Sequence, residues 1–96
     1  MGQTFQLLYS DEALADLQTI RAFDRSTLLA AIQRRLAATP TAVSRSAVKR
    51  LRQPAPAEYR LRVGEYRVFY VVRSHTVQIR RILSKDASMR YLGEGS

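Results

Sequence analysis

The sequence reads as an α+β domain: a strand, a helical hairpin, then a three-strand meander forming an antiparallel sheet with both helices packed on one face. Three observations carry this. Phe5, Leu7 and Tyr9 alternate with Gln6 and Leu8, which is the period of a strand. Leu28, Ile32 and Leu36 recur every four residues, which is the period of a helix. From Glu58 onward, β-branched and aromatic residues dominate, broken at Gly64-Glu65 and at Ser74-His75.

The elements follow in order. Ser10 stands at an N-cap position, and Asp11 and Glu12 fall in the first turn, where the helix dipole favours carboxylates. Ala13, Leu14, Leu17 and Ile20 give that first helix an apolar stripe. Asp24 or Ser26 starts the second helix, and Leu29 lies beside its apolar row while Gln33, Arg34 and Arg35 face water. Pro40 ends it, because Thr39 before it is pushed out of the helical region. Residues 40–57 form a connection in which Val48 and Leu51 turn inward and Lys49, Arg50 and Arg52 point out. Pro54 and Pro56 keep it extended. Strands are expected over Glu58–Val63, Tyr66–Arg73 and Thr76–Leu83, followed by one or two helical turns within Lys85–Leu92.

Residues 1–96 are enough for one domain with one modest core. There is no cysteine, so disulfides and thiolate chemistry are excluded. Apolar runs such as Val68 to Val72 are far too short to span a bilayer. The N-terminal residues lack a secretory pattern, and Gln6 stands where a myristoylation signal needs Ser or Thr. The expected location is the cytoplasm, with no membrane partner.

The net charge is +8, and it is unevenly placed. The first twenty residues carry Asp11, Glu12 and Asp16 but no Lys or Arg. Such a field gathers anions and speeds encounter with them.

The hairpin at Val63-Gly64-Glu65-Tyr66 fixes where that charge goes. A two-residue loop with Gly first suits a type II′ turn. It opposes Val63 with Tyr66, Arg62 with Arg67, Leu61 with Val68, Arg60 with Phe69 and Tyr59 with Tyr70. Directly opposed residues share a face. Tyr59, Leu61, Val63, Tyr66, Val68, Tyr70 and Val72 therefore meet the helices. Arg60, Arg62 and Arg67 take the other face, with Phe69 and Val71. Arg80 joins them if the next turn also has two residues. Arg81 is out of phase with Val77 and Ile79, so a bulge is expected near Arg80. Placing Arg62 directly against Arg67 costs stability, which argues for an anionic ligand that arginine holds in a bidentate manner. Phe69 is either a platform for a base or filler beneath the C-terminal segment. His75, the one histidine, falls in a turn away from this face.

The run Tyr59-Arg60-Leu61-Arg62-Val63-Gly64-Glu65-Tyr66-Arg67-Val68-Phe69-Tyr70 resembles the core signature of the RelE/ParE superfamily of type II toxin–antitoxin toxins. The leading strand, helical hairpin and connection extend the resemblance over nearly the whole chain and imply a RelE-like fold. RelE-type members cleave mRNA in the ribosomal A site by attack of a ribose 2′-hydroxyl on the adjacent phosphate. ParE-type members poison DNA gyrase. Either kind is held by an acidic antitoxin. The resemblance implies catalytic roles for Arg60, Arg62, Arg67 and Lys85, with Tyr91 displaced by about one residue from the tail's catalytic Tyr; the face read from the register adds Arg80 to the catalytic set, and Lys49, Arg50, Arg52, Phe69 and Arg90 are expected RNA contacts. The resemblance implies no metal and no cofactor. Asp86 departs from it, standing where a basic residue is common. The expected function is a ribosome-dependent mRNA endoribonuclease. The alternatives are a gyrase poison or a member that binds antitoxin or RNA without cutting.

Overall fold

The computed structural model describes residues 4–93, so both ends of the expected 1–96 domain lie outside the described residues. The elements are β1 (Gln6–Tyr9), α1 (Asp11–Gln18), α2 (Ala22–Leu36), β2 (Val48–Arg50), β3 (Tyr59–Val63), β4 (Tyr66–Arg73), β5 (Thr76–Ser84) and α3 (Lys85–Tyr91). The strands form one sheet in the order β1-β5-β4-β3-β2.

Helix α1 starts as its composition requires. The Ser10 hydroxyl accepts the Ala13 N–H at 3.0 Å and donates to the Arg80 carbonyl at 2.8 Å, tying the cap to β5. Helix α2 begins at Ala22, ahead of the expected Asp24 or Ser26. Its N-cap is Arg21, which makes no side-chain capping bond, so the usual sequence signal is missing there. Leu28, Ile32 and Leu36 are buried as their spacing predicts, whereas Leu14 and Leu29 remain substantially exposed.

Both hairpins hold the register read from the sequence. Val63 opposes Tyr66, Arg62 opposes Arg67, and Arg73 opposes Thr76. Gly64 adopts φ +57° while Glu65 does not follow it into that region, which suits a turn with Gly at its first central position. The expected bulge is present: Phe69 pairs with Arg81 and Tyr70 with Ile79, leaving Arg80 as the extra residue.

The expected antiparallel sheet is present, with a correction at one edge. β1 runs parallel to β5, with Leu7 opposite Val77 and Tyr9 opposite Ile79. Alternation tells which face a strand buries, not which way its neighbour runs. A second correction lies in the connection. Residues 48–50 pair antiparallel with β3, and three residues are too few to show an alternation. The loop after β2 is also less extended than two prolines suggest. The Gln53–Pro54 peptide is cis, and the Gln53 amide donates to the carbonyls of Leu51 and Ala57.

The main core lies between the helices and one face of the sheet. Ala13, Leu17 and Ile20 of the first helical segment and Leu28, Ile32 and Leu36 of α2 meet Leu61, Val68, Tyr70, Val77, Ile79 and Ile82. Tyr70 stacks on Tyr59 with centroids 5.4 Å apart, and its buried hydroxyl donates to the Pro40 carbonyl at 2.6 Å. Desolvation raises the Tyr70 pKa well above its ordinary value. A second, smaller cluster sits on the opposite face: Leu51, Ala57 and Phe69 beneath Ala55, Leu83 and Tyr91. It anchors α3 there. No helix among the described residues is long and apolar enough to cross a membrane.

Candidate nucleic-acid interface

The face of the sheet opposite α1 and α2 carries two cross-strand rows. One runs Lys49–Arg60–Phe69–Arg81 across β2, β3, β4 and β5; the other runs Arg62–Arg67–Leu83 across β3, β4 and β5. Opposed residues share a face, so Lys49, Arg60, Arg62 and Arg67 form one cationic block. Strand β2 is what adds Lys49 to it, in register with Arg60.

No carboxylate of the described residues neutralises this block. The ion pairs among the described residues are Arg21–Asp24, Arg73–Glu58 at 2.8 Å and Arg81–Asp16 at 2.8 Å. Arg67 donates instead to the carbonyls of Gly64 and Tyr66 near the turn. Arg60 is half-buried, and its Nε is buried with no hydrogen-bond partner. Burial first, then the positive charges of Arg67 and Arg62, lower its pKa. Glu58, a possible partner, is turned away. Burial opposes its ionisation, but the Val72 N–H and the Arg73 guanidinium outweigh that and hold its carboxyl below the usual value.

The remaining expected site residues separate into other places. Phe69 is fully buried under Tyr91, at 4.9 Å between centroids, so it is filler beneath α3 and offers no face to a base. Arg50 lies on the opposite face of β2 from Lys49, because neighbours in a strand alternate. It donates to the Tyr59 hydroxyl at 2.8 Å and stacks over that ring. Arg52 is exposed in the loop after β2, and Arg90 is exposed in the last turn of α3. Lys85 is exposed, and its N–H donates to the Glu65 carbonyl, so α3 starts beside the hairpin tip. Its first turn is capped by Ser84, which accepts from the Ala87 N–H.

Arg80 and Tyr91 lie two strands over from Arg60, on the β5 side. With Glu12 and Arg81 they line a pocket of about 280 Å³. Arg81 stacks over Tyr91 at 5.5 Å and is held by both carboxylate oxygens of Asp16, which also accepts the Ile82 N–H. Burial raises the Tyr91 pKa; Arg81 and Arg80 oppose the rise, while Asp16 and Glu12 add to it. Neither Asp16 nor Glu12 was legible as a site neighbour. The one signal was Arg81 itself, out of phase on β5.

Chemically, the block can bind phosphate and stabilise developing negative charge. Guanidinium groups are poor proton acceptors, so the block is not itself a base.

Residues 7–89 match the family described as the ParE toxin of the type II toxin–antitoxin system parDE. No curated protein sequence matches. Solved structures with a similar fold include a chain of the toxin–antitoxin complex RelBE2 from Mycobacterium tuberculosis. It is 23% identical, with a TM-score of 0.75, over 85% of this chain and 92% of that one. A chain of the RelE–RelB complex from Pyrococcus horikoshii is 21% identical, with a TM-score of 0.70, over 86% of this chain and 97% of that one. A chain of the RelB–RelE complex from Methanococcus jannaschii is also 21% identical, with a TM-score of 0.63, over 88% of this chain and 96% of that one.

Proposed function

The chain belongs to the ParE toxin family of type II toxin–antitoxin systems, within the RelE/ParE superfamily, and from the geometry of its cationic face we propose that it cuts mRNA on the ribosome. The observation that carries this reading is the block of Lys49, Arg60, Arg62 and Arg67, which has no carboxylate partner among the described residues and a buried, unpaired Arg60 Nε. A scissile phosphodiester supplies the missing anion.

The nucleophile is the ribose 2′-oxygen next to that phosphate, and the leaving group is the 5′-oxygen of the following nucleotide. The products are a 2′,3′-cyclic phosphate and a 5′-hydroxyl. Both reacting oxygens belong to the RNA, so the protein's share is alignment and cation density on the transition state. Among the described residues the block holds no carboxylate or imidazole to take the proton. The 2′-hydroxyl proton therefore passes to a group of the ribosome or to solvent, from which the leaving 5′-oxygen takes one up. The expected partner is an acidic antitoxin, which the positive field would steer toward the toxin. The setting is the cytoplasm, where mRNA is translated.

A second reading is favoured by the family match itself: a ParE-type poison of DNA gyrase. On that reading the cationic block meets protein or DNA, and Tyr91 serves the fold alone, packed on Phe69 and beneath Arg81.

Induction without antitoxin, with mRNA 5′ ends mapped beside a supercoiling assay, separates the two. Cuts at defined codons that vanish in Arg67→Ala support the endoribonuclease. Arrested supercoiling with intact mRNA supports the poison. RNA binding should also weaken steeply with salt, and each phosphate-contacting arginine removed should flatten the slope by roughly one unit.

A further inference from the structure

We propose that the pocket between α1, β5 and α3, lined by Glu12, Arg80, Arg81 and Tyr91, reads a base of the bound RNA and fits guanine. This rests on the mRNA-cleaving reading above and deepens it by adding sequence preference.

The pocket encloses about 280 Å³ and is lined by side chains of both charge signs that do not close on one another. Glu12 makes no ion pair among the described residues. Arg80 has only a long contact of 3.4 Å to the Gln78 side-chain carbonyl. Arg81 is different: Asp16 clamps it with two hydrogen bonds of 2.8 and 3.0 Å, and its guanidinium lies against the Tyr91 ring. The pocket therefore has a fixed planar wall, a free acceptor and a free donor.

Guanine matches that set. Its N1–H and N2 amino group donate, and a carboxylate accepts both. Its O6 accepts from a guanidinium, and its ring stacks on guanidinium planes. Adenine lacks the N1 donor and the O6 acceptor. Uracil and cytosine lack the paired donors. The place also fits. Arg81 occupies the same cross-strand row as Arg60, two strand spacings or about 10 Å away. A phosphate on the cationic block leaves a base within reach of the pocket.

The test titrates 5′-GMP, 5′-AMP, 5′-CMP and 5′-UMP into the purified chain and follows the backbone amide signals of Glu12, Arg80 and Tyr91 by NMR. All four carry the same phosphate, so differences report the base. GMP is expected to bind about tenfold or more tighter than AMP, as one bidentate pair implies. Glu12→Gln exchanges one acceptor oxygen for a donor at an exposed position and should erase that preference. Equal binding of the four nucleotides, or a preference unchanged in Glu12→Gln, overturns the proposal. Mapping cut sites in cells keeps the two readings apart. Cuts with the same flanking bases in wild type and Glu12→Gln remove the pocket and leave the endoribonuclease. GMP preference without any mRNA cleavage does the reverse.

Discussion

Replacing Arg62 by Gln should make the protein more stable and less toxic. Arg62 faces Arg67 directly across the β3–β4 hairpin. Its N–H donates to the Ala47 carbonyl on the β2 side, so the pair with Arg67 is of the non-hydrogen-bonded kind, in which side chains come closest. Among the described residues no carboxylate lies within 4.0 Å of either guanidinium. Arg62 is solvent-exposed, so the dielectric of water applies. Two unit charges at ~5 Å then repel by about 0.8 kcal/mol. That agrees with the range of up to ~1 kcal/mol for like charges in direct cross-strand contact. Gln keeps the stem and removes the charge. We expect Arg62→Gln to gain about 0.5–1 kcal/mol in urea unfolding at low salt. The gain should largely vanish at 1 M salt, where the screening length is about 3 Å. Arg62→Lys keeps the charge and should show no such gain. A loss of stability in Arg62→Gln, or a gain that salt does not reduce, would refute the argument that this pair is retained for a ligand at a cost to the fold.

Two further outcomes follow from the contacts. Asp16→Ala removes a carboxylate that holds Arg81 with two bonds and caps the Ile82 N–H beside the bulge. The expected loss is about 1.5–3 kcal/mol in denaturant unfolding, the range for hydrogen bonds to a charged group. Glu58 has a pKa below its ordinary value of 4.5, so it stabilises the fold fully above that pH and loses the contribution as pH falls through its folded value. Acid unfolding of Glu58→Gln should therefore lack the part of the pH dependence below 4.5 that the wild type shows.

The hairpin was the most legible part of the chain, because Gly64 fixes the turn and strict alternation fixes the faces. Arg60, Arg62 and Arg67 could be placed on one face without coordinates for that reason. The bulge at Arg80 was legible through the phase slip of Arg81. What the sequence concealed depends on partners distant along the chain. Strand β2 is three residues long, so nothing local marks Lys49 as the neighbour of Arg60. The direction of β1 is set by its docking on β5, seventy residues away at Leu7 and Val77, and alternation is blind to it. Phe69 shows the same limit. Its face was clear from the register, but only the fold of α3 over that face decides between a platform and a core residue. The link from Asp16 through Arg81 to Tyr91 joins α1, β5 and α3, and no spacing in the sequence expresses it.

The central claim is that the Lys49–Arg60–Arg62–Arg67 block holds a scissile RNA phosphate. It is tested most directly by incubating the purified chain with ribosomes programmed by a defined mRNA and identifying the new termini. The expected products carry a 2′,3′-cyclic phosphate on one fragment and a 5′-hydroxyl on the other, with cleavage lost in Arg67→Ala and in Arg60→Ala. Intact mRNA with the wild-type chain, or cleavage that survives both substitutions, would contradict that claim.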